Sequence, residues 1–153
     1  MDSSSSLSQA NSFIAAGTVS IVYAVDNSNV IKIRPTSGEF ERQAYDIEIR
    51  SYKRLGHHDR IASCKVTQKG PILERGTCLR GMLRSVGESA IPWPMKLQWA
   101  LETVEGLAYI HSKGIIHADV GCHNIIVDNA KHAKFIDFAG SGIDGEAPLV
   151  CYE

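Results

Sequence analysis

The residues best suited to chemistry lie in the segment His117–Asn124 and shortly after it. Asp119 and Asn124 are five positions apart, and Asp137 follows Asn124 by thirteen positions. Each of them is close to a short apolar run, so a rigid scaffold would hold all three at one edge. Two carboxylates and a carboxamide fit a divalent cation with oxygen ligands, together with a base that accepts a hydroxyl proton. Magnesium is the natural candidate, because it usually shares its coordination between protein carboxylates and substrate phosphates.

The same segment offers a second chemistry through its sulfur and imidazole groups. Cys122 and His123, with His117 and Asp119 nearby, could form a zinc site or a Cys–His nucleophile. The spacings match no common zinc pattern, and one tight loop does not easily surround a tetrahedral ion. We therefore favour the divalent-cation site with its base and keep the zinc or nucleophile site as the weaker alternative.

Short strands are predicted in the first half of the chain, where they would begin the scaffold. Apolar runs are separated there by Gly17 and by the turn-forming residues Asp26–Asn29, which predicts three antiparallel strands. Two further strands are predicted after the polar residues His57–Arg60. The five predicted strands are 13–16, 20–25, 30–34, 61–66 and 71–74.

Two helices are predicted. The first opens at Pro35-Thr36, where Thr36 and Glu39 have the spacing of a capping box, and it ends before Gly56. The second covers residues 92–113. Strands first and helices later, with little alternation, are typical of an α+β fold. The apolar face predicted for the second helix consists of Leu97, Ala100, Leu101, Val104, Leu107, Ala108 and His111.

The composition argues against several classes of protein. The 153 residues contain sixteen Lys and Arg against seventeen Asp and Glu, so no basic field favours nucleic acid or a membrane surface as a partner. The four cysteines form no CxxC pair, which favours a reducing compartment, with the cytoplasm as the default and the nucleus left open. Residues 1–12 are polar and serine-rich, and we expect a disordered leader there.

The order of motifs along the chain resembles that of the protein kinase family. Residues 15–22 lie where the family has its glycine-rich loop, and Val30-Ile31-Lys32 resembles the strand with the phosphate-binding lysine. Glu48 resembles the helix glutamate that pairs with this lysine, and Ile72–Glu74 resembles the hinge. The polar segments described first resemble the catalytic and metal-binding loops. Their sequences, HADxGCHN and IDFAGSxIDG, are similar to those of divergent kinase-like proteins of filamentous fungi.

This resemblance implies a protein-kinase-like domain over residues 13–153 that transfers a phosphoryl group from ATP, with Mg2+, to a protein hydroxyl. The implied lobes are a β-rich N-lobe over about 13–75 and a helical C-lobe over about 76–153. Because a complete domain of this family is longer, we expect a chain truncated within the activation segment. The C-lobe would then be incomplete and the helix 92–113 partly exposed, which puts catalysis by these residues alone in question.

The resemblance also implies a role for each candidate residue. Lys32 would hold the phosphates, oriented by Glu48, and Asp119 would act as the base for the acceptor hydroxyl. Asn124 and Asp137 would bind Mg2+. Further ATP contacts would come from Gly17, Ser20, Val22, Val30, Glu74 and Ile126. A set of rings would stack between the lobes, namely Tyr52, His117 and Phe138.

Several substitutions depart from the family's pattern. Ala15 and Ser20 replace loop glycines, so we expect weaker contact with phosphate, although Ser20 can donate a hydrogen bond. Ala118 replaces an arginine that meets a phosphorylated loop, and Gly121 replaces a lysine beside the γ-phosphate. Two alternatives stay open: a non-catalytic kinase-like module that binds a nucleotide or a partner, and a small-molecule phosphotransferase of the aminoglycoside type.

Overall fold

The computed structural model describes residues 12–17, 19–34 and 38–149. The predicted leader lies outside the described residues except for Ser12, and so do the predicted opening of the first helix and the end of the chain. Within the described ranges the chain forms ten strands, three α-helices and two short 3-10 helices. A five-stranded sheet with α1 comes first, and α2 and α3 follow with smaller sheets, which confirms the α+β class.

The N-terminal half contains an antiparallel sheet. Its strands are β1 (Phe13–Ala16), β2 (Ile21–Ala24), β3 (Asn29–Ile33), β4 (Cys64–Thr67) and β5 (Gly70–Glu74). Over the described residues they lie in the order β1-β2-β3-β5-β4. The turn between β2 and β3 is closed by the Asp26 carboxylate, which accepts hydrogen bonds from the backbone of Ser28 at 2.7 Å and the side-chain amide of Asn29 at 3.0 and 3.1 Å. All five predicted strands are therefore present, with their ends shifted by at most three residues.

Helix α1 covers Glu39–Leu55 and is inserted between β3 and β4. Its N-cap is Gly38, which provides no side-chain cap, and the described helix begins at Glu39. The predicted capping box involves Thr36, which lies outside the described residues. It ends at Gly56, whose φ of +60° is rarely adopted by a residue with a Cβ. The residues buried on its inner face are Ala44, Glu48, Ile49, Ser51, Tyr52 and Leu55.

The C-terminal half combines two helices with small sheets. Its elements are β6 (Thr77–Cys78), α2 (Leu79–Val86), α3 (Trp93–Ser112), β7 (Ile115–Ile116), β8 (Ile125–Val127), β9 (Ala133–Phe135) and β10 (Gly142–Ile143). In the described part of the chain, one sheet has the order β6-β8-β9 and a second pairs β10 with β7. The hairpin of β8 and β9 pairs Ile125 with Phe135, so residue 124 and residue 136 meet at its open end. This pairing brings Asn124 close to the segment that carries Asp137.

The predicted orientation of α3 is wrong. The helix buries Trp99, Glu102, Gly106 and Ile110, whereas Leu97, Leu101 and Val104 of the predicted apolar face are 48%, 62% and 67% exposed. The buried side combines two apolar residues of the core, Trp99 and Ile110, with two positions that are set by shape and by hydrogen bonds. Gly106 is in contact with the ring of Phe135, and Glu102 satisfies a backbone N–H of β9.

One hydrophobic core extends through both halves of the chain. Leu55 and Leu73 from the N-terminal half pack in the same cluster as Ile110, Phe135 and Phe138 from the C-terminal half. Because the halves share this core, the position of one strongly constrains the position of the other. Among the described residues, none of the helices combines the length and hydropathy that crossing a bilayer requires.

Two glycines in helices give a matched test of this packing. A Cβ at Gly106 would lie 2.9 Å from the Phe135 ring and 3.0 Å from Cβ of Arg60, whereas a Cβ at Gly81 would meet no atom within 4 Å. We expect Gly106→Ala to lower the free energy of unfolding by about 1–3 kcal/mol through overpacking. Gly81→Ala is expected to raise it by up to about 1 kcal/mol, since alanine favours helix. Urea denaturation of both variants measures this, and equal effects would contradict the packing of α3 on β9.

Candidate active site

Lys32 joins three elements of the fold at the centre of the site. Its Nζ lies 2.8 Å from Oε1 of Glu48 on α1 and 2.7 Å from Oδ1 of Asp137, which follows β9. Lys32 and Glu48 are buried, whereas the Asp137 side chain is 41% exposed. The lysine therefore holds one carboxylate inside the protein and orients a second one that remains accessible.

The electrostatics of this cluster favour a charged lysine. Burial by itself would lower the pKa of Lys32, but the carboxylates of Glu48 and Asp137 raise it above its ordinary value. Burial would also raise the pKa of Asp137, yet the Lys32 ammonium lowers it below its ordinary value. For Glu48, burial has the largest effect and raises the pKa despite the attraction of Lys32. Lys32 and Asp137 therefore form a charged pair at neutral pH.

The rings beside Asp137 fix the backbone that carries it. Phe138 is fully buried, with its ring centroid 5.0 Å from that of Tyr52 and 4.8 Å from that of His117. Nε2 of His117 donates a hydrogen bond to the carbonyl of Ile136 at 3.0 Å, and burial lowers the pKa of this imidazole. The three rings that the resemblance placed together are in contact, but Tyr52 meets Phe138 edge-on and His117 is tilted against Phe138. This ring cluster supports Asp137 in a left-handed backbone conformation, with a φ of +64°.

Asp119 and Asn124 form the second polar group. Nδ2 of Asn124 donates hydrogen bonds to Oδ2 of Asp119 at 2.8 Å and to its backbone carbonyl at 2.9 Å. The backbone carbonyl of Asn124 accepts a hydrogen bond from the N–H of Ile136 at 3.0 Å. A continuous series of contacts thus runs from Asp119 through Asn124 and Ile136 to Asp137 and Lys32. The structure thus links the Lys32–Asp137 pair to the Asp119–Asn124 pair through the backbone of the β8–β9 hairpin. That all four side chains face one nucleotide-sized cleft stays a prediction.

A small cavity lies beside Lys32, underneath the predicted loop. Ser20 is buried and lines this cavity with Lys32 and Glu48. Gly17 is exposed, and its N–H donates to the carbonyl of Ser20 at 2.8 Å. A Cβ at Gly17 would make only ordinary contacts, so the backbone does not require glycine there. The full set of lining residues is Val19, Ser20, Lys32, Arg34, Tyr45, Glu48, Pro71 and Ala139.

The residues predicted to surround adenine come from both halves of the chain. Val22 and Val30 lie on the neighbouring strands β2 and β3, whereas Ile126 is buried on β8. Gly76, just after β5, packs closely on Ile126, because a Cβ there would lie 2.9 Å from Ile126 Cβ. The segment after β5 is therefore fixed against β8, where the two halves of the chain meet.

Glu74 uses its carboxylate inside the protein. Oε1 accepts a hydrogen bond from Nζ of Lys134 at 2.7 Å, and Oε2 accepts one from the backbone of Ser63 at 3.2 Å. Lys134 is also 3.4 Å from Asp128. The side chain of Glu74 thus links β5 to the β8–β9 hairpin, and its backbone N–H donates to the carbonyl of Ser63 at 2.9 Å.

Glu102 is a buried carboxylate on α3 that no pattern in the sequence indicated. It accepts hydrogen bonds from the backbone N–H of Ala133 at 2.7 Å and from Gln98 at 3.1 Å, and it lies 2.6 Å from Nδ1 of His132. Burial opposes its ionisation, but these bonds and Arg60 lower its pKa. Glu102 therefore fixes the start of β9. The periodicity of α3 gave no signal for this role, because a glutamate is assigned to the solvent side.

A second missed feature connects α1 to the segment after Asp137. Arg50 pairs with Glu146 at 3.2 Å, and Arg54 pairs with Asp144. All four side chains are substantially exposed, so each pair contributes little to stability. Arg50 and Arg54 are four residues apart, so they lie on the same face of α1. Their pairs hold this face against the chain beyond β10.

Comparison with known proteins agrees with this geometry. The family profile described as "Protein kinase domain" matches residues 14–144. A probable protein kinase of Dictyostelium discoideum is 30% identical over 129 residues, which is 76% of this chain and 36% of that protein. A probable serine/threonine-protein kinase of Arabidopsis thaliana is 26% identical over 142 residues, which is 85% of this chain and 37% of that protein.

Shorter matches show higher identity. The receptor-interacting serine/threonine-protein kinase 1 of Homo sapiens is 44% identical over 50 residues, which is 33% of this chain and 8% of that protein. The chain thus spans little more than a third, or less, of the length of the relatives named here.

The buried charge cluster predicts a non-additive effect on stability. Lys32→Met leaves the buried carboxylate of Glu48 without its partner, and we expect a loss of about 3–5 kcal/mol in the free energy of unfolding. The double variant Lys32→Met/Glu48→Leu should recover much of this loss, because it buries no unpaired charge from α1. Lys65→Met, at an exposed position of β4, serves as the control. Urea denaturation provides the values, and a double variant less stable than Lys32→Met would contradict the pairing.

The same cluster predicts the reactivity of a neighbouring cysteine. Burial and the Glu48 carboxylate raise the pKa of Cys64 to about 12, so its thiolate is scarce at pH 8, whereas Cys78 and Cys122 are exposed. We expect iodoacetamide at pH 8 to label Cys64 at least ~100-fold more slowly than the other two, since the thiolate is the reactive form. Peptide mapping by mass spectrometry follows all three sites. Unfolding in urea should abolish the difference, and fast labelling of folded Cys64 would contradict this environment.

Proposed function

The chain belongs to the protein kinase family, and from this membership we propose that it transfers a phosphoryl group from Mg-ATP to a hydroxyl of a protein. One observation carries the proposal: the buried Lys32 ammonium is shared between Glu48 and the partly exposed Asp137. A fixed cation next to an accessible carboxylate suits the binding of phosphates with a metal ion. Kinases of this type work mainly through positioning and charge neutralisation.

Lys32 binds the phosphates of ATP in this proposal, and Glu48 orients it. The side chain of Lys32 has no freedom to leave the site, because it is buried and bonded at both sides. Ser20 supports phosphate binding from the loop above, since it lines the same cavity as Lys32. Gly17 belongs to the same loop, and we assign it to the residues that contact ATP. We assign the base of ATP to Val22, Val30 and Ile126 together with the backbone carbonyl of Glu74.

The residues present fit a magnesium ion. Asn124 uses Nδ2 for Asp119, so its Oδ1 is the atom left for a cation, and Asp137 uses Oδ1 for Lys32. Among the described residues, no three His, Cys, Asp and Glu side chains group together as a metal cluster. An amide oxygen and one carboxylate are nevertheless enough for Mg2+, which takes its other ligands from phosphates and water. When bound, the ion neutralises charge on the phosphates.

Asp119 is the residue that we propose as the base for the acceptor hydroxyl. Its side chain is 26% exposed, and Asn124 holds one of its oxygens. The carboxylate is therefore oriented yet accessible from solvent, as a base for a protein hydroxyl must be. The net charge of −1 supports a protein rather than a nucleic acid as the acceptor. A reducing compartment such as the cytoplasm agrees with the three free cysteines among the described residues.

Thermal unfolding with and without nucleotide tests the proposal. Mg-ATP at a hundred times its dissociation constant should stabilise the chain by about 2.7 kcal/mol. Asp119→Asn should keep this shift but lose phosphoryl transfer, whereas Asp137→Asn should also lose the part of the shift that Mg2+ adds to ATP. Asp59→Asn, at an exposed position, is the control.

The possible results separate binding from chemistry. A wild-type chain without a shift at millimolar Mg-ATP would contradict nucleotide binding. A shift without any transfer to a protein substrate would favour the non-catalytic module. Equal losses of binding in Asp119→Asn and Asp137→Asn would contradict the separate roles of these residues.

A further inference from the structure

The imidazole of His123 contacts the proposed base directly. Nε2 of His123 lies 2.9 Å from Oδ1 of Asp119. A carboxylate oxygen can only accept, so the ring N–H donates in this contact. Oδ2 of the same carboxylate accepts from Nδ2 of Asn124 at 2.8 Å. Both oxygens of Asp119 are thus fixed by neighbouring side chains of the same loop, which defines the plane of the carboxylate.

Gly121 provides the space that the His123 ring occupies. A Cβ at position 121 would lie 2.6 Å from Cε1 and 2.7 Å from Nδ1 of this ring, closer than real Cβ atoms come. The φ of Gly121 is −174°, an extended conformation that any residue adopts, so the backbone itself does not require glycine. A side chain at 121 would push the ring away, and the contact with Asp119 would be lost. The contact of His123 with Asp119 therefore depends on a glycine at position 121.

The loop holds His123 in place while leaving its ring accessible. The N–H of Asn124 donates to the carbonyl of Gly121 at 2.9 Å, which closes the short turn that carries His123. Asn124 is buried, whereas the His123 side chain is 31% exposed. The imidazole is therefore partly exposed to solvent and lies next to the Asp119 carboxylate.

We propose that His123 is a positioning residue for phosphoryl transfer, which holds the Asp119 carboxylate toward the acceptor hydroxyl in space left free by Gly121. The inference rests on the proposed function. With one lone pair on each oxygen engaged by His123 or Asn124, the remaining lone pairs have a fixed direction. A small loss of alignment in such a base is costly, because catalysis depends on the geometry of the reacting atoms.

Four variants of the full chain test the proposal by phosphoryl transfer from Mg-ATP to a protein substrate. His123→Leu should lower kcat ~10-fold to ~100-fold, with KM for ATP unchanged, because only alignment is lost. His123→Gln should recover kcat to within about threefold, because its amide N–H can donate to Asp119. Gly121→Ala should lower kcat in the wild-type background but add nothing in the His123→Leu background. His57→Leu, at an exposed position, is the control.

The results distinguish this proposal from the proposed function. A wild-type chain that transfers no phosphate overturns the proposed function and this inference with it. An active wild type with unchanged kcat in His123→Leu overturns the positioning role alone. Failure of His123→Gln to recover kcat, or an equal loss from Gly121→Ala in both backgrounds, also overturns it. An unchanged Mg-ATP melting shift in all variants shows that they are folded.

Discussion

The contact of the Lys32 ammonium with two carboxylates is the interaction on which the rest of the site depends. A buried cation must be paired, and its partners come from positions 16 and 105 residues away in the chain. This requirement fixes α1, which must bring Glu48 to the sheet, and it fixes the segment after β9, which must return with Asp137. The distribution of burial then separates the roles, since Lys32 and Glu48 are enclosed while Asp137 stays accessible.

The accessible groups are positioned by hydrogen bonds that lie underneath them. Glu102 of α3 accepts a hydrogen bond from the first residue of β9. The β8–β9 pairing then fixes the open end of the hairpin relative to that residue. There the backbone of Asn124 meets Ile136, so the two candidate metal ligands on either side of the hairpin arrive together. A buried carboxylate far from the chemistry thereby contributes to its geometry. The exposed apolar face of α3 is compatible with this role, because the opposite face makes these contacts.

Local patterns predicted the elements better than their orientations. The strands β1 to β3 follow from short apolar runs separated by Gly17 and the Asp26 turn, and α1 follows from its periodicity. Helix α2 was not predicted, because eight residues with a glycine give a weak pattern. For α3 the existence and length were predicted, but the buried face was wrong, since Gly106 and Glu102 are buried for shape and hydrogen bonding. Such reasons depend on the neighbouring strand and have no signature in a helical period.

The sequence by itself determined the chemical types and their order: a strand lysine, a helix glutamate, and the polar residues of HADVGCHN and IDF. The residue types and their order can be identified from the spacing of residues within each motif. Only the tertiary structure decided that Asp137 joins Glu48 in contact with Lys32, and that His123 contacts Asp119 in the space beside Gly121. The physical reason is that a hydrogen bond or a close contact depends on distance in space to within a few tenths of an ångström. The distances come from how the sheet, α1 and the β8–β9 hairpin pack around one shared core.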